Sequence, residues 1–283
     1  NTVVGDEAGT AITTGDGNVA VGFEALKTED ANGNNVAVGY RALKVQNAGA
    51  EAYNVAVGVD AGLGLTTATS STLIGAFAGG GGTLSGANNT AIGRNAGYTL
   101  TSGTQNVLIG GLSGDAITEG TQNVAVGYLS LSANTTGIQN VAVGAESAEA
   151  TTTGNYNVSV GYRSLEATTT GSQNVAIGRS SLESNTTASN NTAVGFAALE
   201  VNTTGDTNTA VGKSALVANT TGENNTAIGA VSLDANTTGI QNTAVGINAL
   251  GANTTASNNT AVGTNALLTN TTGADNVALG ATS

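Results

Sequence analysis

The side chains that most often perform chemistry in proteins are scarce in this sequence of 283 residues. It contains neither His nor Cys, so it has no imidazole base, no thiolate nucleophile and no disulfide. The usual ligands of zinc, haem and iron–sulfur clusters are missing for the same reason. What remains is 19 carboxylates, 7 Lys and Arg side chains, and many threonines. We therefore expect no catalytic residue, no cofactor and no metal site, and we expect that the protein is not an enzyme.

Three local patterns imitate functional motifs. Val211-Gly212-Lys213-Ser214 matches the end of a phosphate-binding loop, but Thr207 stands where such a loop has its first glycine. Asn134-Thr135-Thr136 and its copies match the acceptor sequence for N-glycosylation. Carboxylates occupy scattered variable positions, for example Glu146, Glu149, Glu166 and Glu183. No pair of these carboxylates forms a catalytic arrangement that the sequence supports.

The charge of the chain limits its partners. Seven Lys and Arg side chains against 19 Asp and Glu give a net charge of -12 and a pI of about 4.1. Such a chain is repelled by nucleic acids and by anionic membrane surfaces. No apolar run approaches the ~20 residues that are needed to cross a bilayer. We expect no nucleic acid partner and no membrane insertion in this segment.

A repeat of seventeen residues organises the whole chain. An anchor glycine follows two or three small apolar residues, and successive anchors are 17, 17, 19, 17 and 18 residues apart and then 17 apart eleven times. The unit reads Asn, Thr/Val, Ala, Val/Ile, Gly, two variable residues, Ala/Ser, Leu, two variable residues, Asn-Thr-Thr-Gly and two variable residues. We expect a single repeat solenoid over 1–283, with irregular coils and longer loops over about 44–120 and regular coils over 121–283.

The repeat unit predicts β-structure. Its Thr/Val-Ala-Val/Ile run is β-branched at alternate positions and bounded by Asn and Gly, which is typical of a strand. Asn-Thr-Thr-Gly is typical of a turn. The fold class is therefore all-β, a parallel β-solenoid or β-roll whose coils each contain two short strands and two turns. Because Gly replaces the repeated Leu from Gly62 to Gly114, we expect a thinner, more mobile segment from about Ala61 to Gly120.

Two positions of the unit predict a structural ladder between coils. The first Asn can bond through its amide to the equivalent Asn of the next coil, and the anchor glycine allows the close approach of stacked coils. A row of amides that binds sugar is the alternative function for the asparagines. The predicted ladder residues of the regular coils are Asn123, Asn140, Asn157, Asn174, Asn191, Asn208, Asn225, Asn242, Asn259, Gly127, Gly144, Gly161, Gly178, Gly195, Gly212, Gly229, Gly246 and Gly263.

Neither face of the repeated strand is charged. Side chains alternate along a strand, so Thr226 and Ile228 share one face and Ala227 lies on the other. A strand that is apolar on both faces is usually buried on both, so we expect another chain to cover one of them. Thr occupies the second slot in the later coils, which suggests a surface that binds ice or polysaccharide. The candidate residues are Thr192, Thr209, Thr226, Thr243 and Thr260.

The unit Asn-Thr/Val-Ala-Val/Ile-Gly-x-x-Ala/Ser resembles the head repeat of trimeric autotransporter adhesins and is similar to the shaft repeats of bacteriophage tail fibres. The resemblance covers the chain from Asn1-Thr2-Val3-Val4-Gly5 to Asn276-Val277-Ala278-Leu279-Gly280. It implies a left-handed parallel β-roll, a homotrimer, and an extracellular place on a cell surface or in a virion fibre. The implied role is host or surface attachment, with a cell-surface receptor or a polysaccharide as partner. The coil of this chain is longer than that of the adhesin repeat, which favours the resemblance to tail-fibre shafts.

Both ends of the sequence lack a polar terminal coil. Solenoids need caps that block their exposed strand edges. We therefore expect the chain to be an excerpt, or its ends to be covered by other subunits.

Overall fold

The repeat folds as β-structure throughout. The computed structural model describes residues 1–31, 33–49 and 51–283, and all regular secondary structure in these residues is β-strand. None of the described residues forms a helix that could span a membrane. The chain consists of two compact units, Asn1–Asn140 and Val141–Ser283. The prediction of an all-β parallel solenoid with coils of seventeen residues is confirmed.

The first unit contains eight strands of three residues each. They are β1 (Thr2–Val4), β2 (Val19–Val21), β3 (Val36–Val38), β4 (Val55–Val57), β5 (Thr72–Ile74), β6 (Thr90–Ile92), β7 (Val107–Ile109) and β8 (Val124–Val126). Each strand pairs in parallel with the next one along the chain. The register holds across the insertions, since Val36 pairs with Val55 and Thr72 pairs with Thr90. The extra residues therefore lie between the strands, and Ala50 is outside the described residues.

The second unit repeats this arrangement with nine strands and no insertion. They are β9 (Val141–Val143), β10 (Val158–Val160), β11 (Val175–Ile177), β12 (Thr192–Val194), β13 (Thr209–Val211), β14 (Thr226–Ile228), β15 (Thr243–Val245), β16 (Thr260–Val262) and β17 (Val277–Leu279). Consecutive strands are again parallel and in register. Equivalent side chains of successive coils are therefore neighbours at about 4.8 Å.

Each coil contains one strand rather than the two predicted. The residues that follow the anchor glycine form a series of turns. The second and fourth of these residues have positive φ, for example Ser214 at 55° and Leu216 at 51°. The backbone there is compact instead of extended, although its NH groups still bond to the next coil, as in Leu216 N to Ser232 O at 3.0 Å. A Leu in this conformation costs roughly 1–2 kcal/mol, which stacking must offset.

The core of each coil is thin and consists mainly of Ala and Leu. The central Ala of the strand, such as Ala210, and the Leu that follows the anchor, such as Leu216, are both completely buried. The strand residues on either side of that Ala are only half-buried, as Thr209 and Val211 show. The Ala face of the strand thus points inward, and the Thr/Val and Val/Ile face points outward.

The predicted thinning between Ala61 and Gly120 is wrong, because other side chains refill the core. Leu73 and Leu108 replace the small central residue of their strands and are fully buried. A Cβ on Gly79 would lie 3.0 Å from Leu73 Cδ2, and one on Gly114 would lie 2.7 Å from Leu108 Cδ2. These coils also carry Leu or Ile where many later coils have the Asn of Asn-Thr-Thr-Gly. The buried examples are Leu65, Leu84, Leu100 and Ile117. The apolar volume is moved rather than lost.

Candidate functional site

The predicted asparagines form continuous rows of buried amides within each unit. Asn208 illustrates the pattern: its backbone NH donates to Oδ1 of Asn191 at 2.8 Å. Its own Oδ1 accepts from the backbone NH of Asn225 at 3.0 Å and from Nδ2 of Asn225 at 3.2 Å. Its Nδ2 donates to the carbonyl oxygens of Gly222 and Gly205 at 2.9 and 3.2 Å. One side chain therefore joins three coils.

All nine predicted asparagines are 0 or 1% exposed. The first unit holds Asn123 and Asn140; the second holds Asn157, Asn174, Asn191, Asn208, Asn225, Asn242 and Asn259. Each side chain is turned inward after a residue with positive φ, for example Thr207 at 61° before Asn208. Amides that are buried and bonded in this way have no free donor or acceptor for a sugar. The structure favours the ladder over the sugar-binding alternative.

The predicted anchor glycines are required by backbone geometry. Their φ values lie between 132° and 141°, a region that L side chains rarely adopt. At Gly195 a Cβ would lie 2.5 Å from the carbonyl oxygen of Gly212 in the next coil. Any side chain at this slot would push the coils apart. The glycines so placed are Gly127, Gly144, Gly161, Gly178, Gly195, Gly212, Gly229, Gly246 and Gly263.

A second row of asparagines was not predicted. The Asn of the Asn-Thr-Thr-Gly segment is also completely buried at Asn202, Asn219 and Asn236. Nδ2 of Asn219 donates to Oδ1 of Asn202 at 2.8 Å, and Nδ2 of Asn236 donates to Oδ1 of Asn219 at 2.9 Å. The sequence signal for this row is the recurrence of Asn every seventeen residues, whereas the local pattern Asn-Thr-Thr-Gly predicts only a turn. Because these asparagines are buried, their side chains are not accessible for N-glycosylation in the folded chain.

The candidate threonines lie side by side on the outward face of the second unit. Strand pairing places Thr192, Thr209, Thr226, Thr243 and Thr260 in one row, each beside the next. They are half-buried, and within the described part of the chain their hydroxyl groups make no hydrogen bond. The consecutive threonines of the turns behave differently. The hydroxyl of Thr203 donates to Thr220 O at 3.0 Å, whereas Thr204 is exposed.

The outward strand face contains no charged residue in either unit. Its two rows are the residues on both sides of the central Ala, which are Thr or Val in one row and Val, Ile or Leu in the other. Ile177 and Ile228 in these rows are 40% and 42% exposed, whereas Ala176 and Ala227 between the rows are fully buried. Contiguous apolar surfaces of this kind mark sites of interaction.

Three carboxylates that looked scattered in the sequence come together in the second unit. Oxygen atoms of Glu146, Glu149 and Glu166 lie within 4.8 Å of one another. The guanidinium of Arg163 contacts Glu146 at 2.7 Å and Glu166 at 3.6 Å. Burial, which outweighs the attraction of Arg163, raises the pKa of Glu166 above its usual range. Since Arg163 already neutralises part of the charge, we assign no ion to this cluster.

The first unit has a smaller ionic cluster. Nζ of Lys27 and Nζ of Lys44 both lie 2.6 Å from the carboxylate of Glu24. Hydrogen bonds from Lys27 and then Lys44 lower the pKa of Glu24 to about 2. Arg41 binds Asp60 through two parallel hydrogen bonds of 2.8 and 2.7 Å. The Lys44–Glu24 and Arg41–Asp60 pairs join side chains of neighbouring coils, so they support the stack rather than a reaction.

Lys213 and Ser214 do not form a phosphate-binding loop. Gly212 is an anchor glycine with φ of 136°, and a helix, which such a loop requires at this point, is absent from the described residues. Lys213 is instead one of a set of exposed side chains that directly follow the anchors. Phe23 and Tyr40, which occupy the same slot in the first unit, stack with ring centroids 5.4 Å apart.

The fold and these surfaces define a class of protein: an all-β parallel solenoid whose coils are held by buried polar rows and whose outward strand face is uncharged. Comparison of the chain with protein-family models, with curated proteins and with solved structures found no match. The functional argument therefore depends on the surfaces of the molecule itself.

Proposed function

We propose that this chain is a non-enzymatic extracellular fibre or adhesin segment, a stiff trimeric β-solenoid shaft for host or surface attachment. The observation that carries the proposal is the uncharged outward strand face. It repeats in every coil, and a continuous uncharged face with a row of half-buried to exposed Val and Ile side chains marks a surface of interaction. Covering that face with two further copies of the chain would bury it along the whole stack. The resemblance to adhesin heads and tail-fibre shafts supports a trimer and a left-handed roll.

The mechanism of such a shaft is mechanical. Within each unit the coils are bonded to their neighbours through backbone NH groups and a row of buried amides, and Asn202, Asn219 and Asn236 add a second row in the second unit. Local opening therefore breaks many bonds together. A fibre built in this way resists proteolysis and holds a binding surface at a distance from its base. An extracellular location follows from this role, and no cofactor takes part in it.

The first test is the mass of the protein in solution by light scattering after size exclusion. The expected mass is three times the 27.3 kDa of one chain, and a monomer at every concentration would refute the trimer. Ile177→Glu combined with Ile228→Glu places charges on the outward face and should dissociate the assembly. Thr187→Glu combined with Thr238→Glu adds the same charge at exposed turn positions and should leave the mass unchanged.

The unbonded hydroxyls of the threonine row favour a second candidate function, an ice- or polysaccharide-binding β-solenoid. The five hydroxyls face outward at regular spacing beside a row of Val and Ile methyl groups. This function requires the face to be open, whereas the trimer closes it. Thermal hysteresis that is lost when Thr209→Lys and Thr243→Lys are introduced, in a protein with monomer mass, would replace the first proposal with this one.

A further inference from the structure

We infer that four side chains of the second unit form a binding strip for an anionic polysaccharide in which carboxylate-bearing sugars alternate with neutral ones. Tyr162, Arg179, Phe196 and Lys213 each follow the anchor glycine of four successive coils, and we call them the aromatic–cationic strip. The inference names the ligand class of the proposed attachment role and rests on that role.

The strip is continuous and exposed. Strands β10 to β13 stack in register, which places the four side chains one coil apart. Tyr162 and Phe196 are 41% and 47% exposed, and Arg179 and Lys213 are also exposed. Cζ of Arg179 lies 5.9 Å from the ring centroid of Tyr162 and 5.8 Å from that of Phe196. Arg179 is therefore held between two aromatic rings by cation–π contacts.

The two cations of the strip are available to a ligand. Within the part of the chain that the structure describes, Arg179 and Lys213 make no ion pair, whereas Arg163 pairs with carboxylates. Arg179 has the uncharged neighbours Gly178 and Ser180, and the charged residue beside the strip is Arg163, which follows Tyr162. The carboxylates of the same coils lie at least four residues further along the chain. The strip is thus a local cationic surface on a protein whose net charge is -12.

The order of the side chains matches one kind of polymer. Aromatic rings bind the apolar faces of sugar rings, and Arg and Lys bind carboxylates. Two coils, or about 10 Å, separate the cations, with Phe196 between them. A polysaccharide that runs along the strip would place an acidic sugar at each cation and a neutral sugar against the part of Phe196 that Arg179 leaves exposed. Free anions in general are repelled by the acidic chain, so binding depends on this local arrangement.

The strip lies at the margin of the outward strand face rather than within the proposed trimer contact. An unpaired cation is costly to bury in an apolar interface. The uncharged rows of the strand can be covered while the strip, which begins after the anchor glycine, stays open to solvent. Attachment and assembly therefore use different side chains, and they can be tested separately.

The test is the binding of hyaluronan, which alternates a uronic acid with a neutral amino sugar, measured by calorimetry at two salt concentrations. We expect binding that weakens with salt, and no binding of the neutral polymer dextran. Arg179→Gln combined with Lys213→Gln should weaken binding by about tenfold or more and reduce its salt dependence. Tyr162→Ala combined with Phe196→Ala should weaken it similarly while the salt dependence remains.

Arg94 offers a matched control. It follows an anchor glycine in the first unit and is exposed, and it makes no ion pair with any residue that the structure describes, but Ala76 and Gly111 occupy the neighbouring coils at that slot. Arg94→Gln should leave binding unchanged. Equal weakening by Arg94→Gln, or hyaluronan binding no stronger than dextran binding, would overturn the inference. A trimer that fails to bind hyaluronan would refute only the role of the aromatic–cationic strip. A monomer that binds hyaluronan would refute only the proposed trimeric shaft.

Discussion

Removing one amide from the buried asparagine row should destabilise the second unit strongly. Asn208→Ala deprives the backbone NH of Asn225 of the one acceptor that the described residues give it, and an unsatisfied buried donor costs about 1–3 kcal/mol. Nδ2 of Asn225 and the carbonyl of Gly222 each lose one of two partners, at about 0.5–1.5 kcal/mol apiece. We expect the free energy of unfolding to fall by about 2–6 kcal/mol.

Replacing the same residue by Asp separates the acceptor role from the donor role. Asn208→Asp keeps an oxygen for Asn225, but its second oxygen faces the carbonyl oxygens of Gly222 and Gly205. Burial and these carbonyls raise the pKa of the new carboxyl, because only the protonated form can donate to them. A carboxyl whose folded pKa is raised binds its proton more tightly in the folded state. The variant should therefore be least stable above that pKa and recover as the pH falls through it.

The measurement is urea denaturation followed by circular dichroism from pH 4 to pH 8. Asn224→Asp is the control, since Asn224 is exposed and has φ of 58° like Asp275, which occupies the same slot at 59°. Subtracting the control removes the titration of all other carboxylates. If Asn208→Ala unfolds at the wild-type urea concentration, or if the two Asp variants respond alike to pH, the amide row does not hold the coils together.

Three further predictions test the rest of the stack. Leu108→Ala should lower the free energy of unfolding, measured by heat or urea, by about 2–5 kcal/mol. Adding Gly114→Leu should recover part of this loss, because the two Leu side chains fill the same space, and no recovery would contradict the refilling of the core. Hydrogen exchange over 61–120 should be as slow as after Gly127, and much faster exchange there would restore the idea of a mobile segment. The pKa of Glu24 is lowered to about 2, so the stabilisation from the ionised Glu24 is present above about pH 4.3 and is lost as the pH falls towards 2. Glu24→Gln should therefore lose less stability than the wild type over this pH range, and an equal loss in both proteins would refute the prediction.

The period, the strand and the parallel stack could be predicted because each is encoded locally. Constant spacing of the anchor glycines sets the coil length, and β-branched residues on both sides of a small one set the strand. The Ala/Ser-Leu side of the coil could not be predicted from propensity. Leu216 has φ of 51°, a conformation that Leu avoids in isolation, and only the bonds to neighbouring coils keep it there.

The refilled core of the first unit shows a second limit of sequence analysis. Loss of the repeated Leu at Gly79 and Gly114 predicts a void when each coil is considered alone. The compensating side chains, Leu73 and Leu108, belong to the strand, which lies on another part of the coil. Their relation to the glycines depends on which side chains meet across the interior. That information exists in the stacked structure and not in the spacing of one repeat.

The division between constant and variable positions indicates where specificity can arise in this molecule. Constant positions, such as Asn208 and Gly212, are used completely by the contacts between coils, so they have no bonding capacity left for a ligand. The slot after the anchor is exposed, and it varies from Tyr162 to Arg179 to Phe196 without disturbing the stack. A solenoid of identical coils presents identical surfaces, so it can recognise only what is itself periodic. Local departures from the repeat at this slot are therefore the places where one ligand can be distinguished from another.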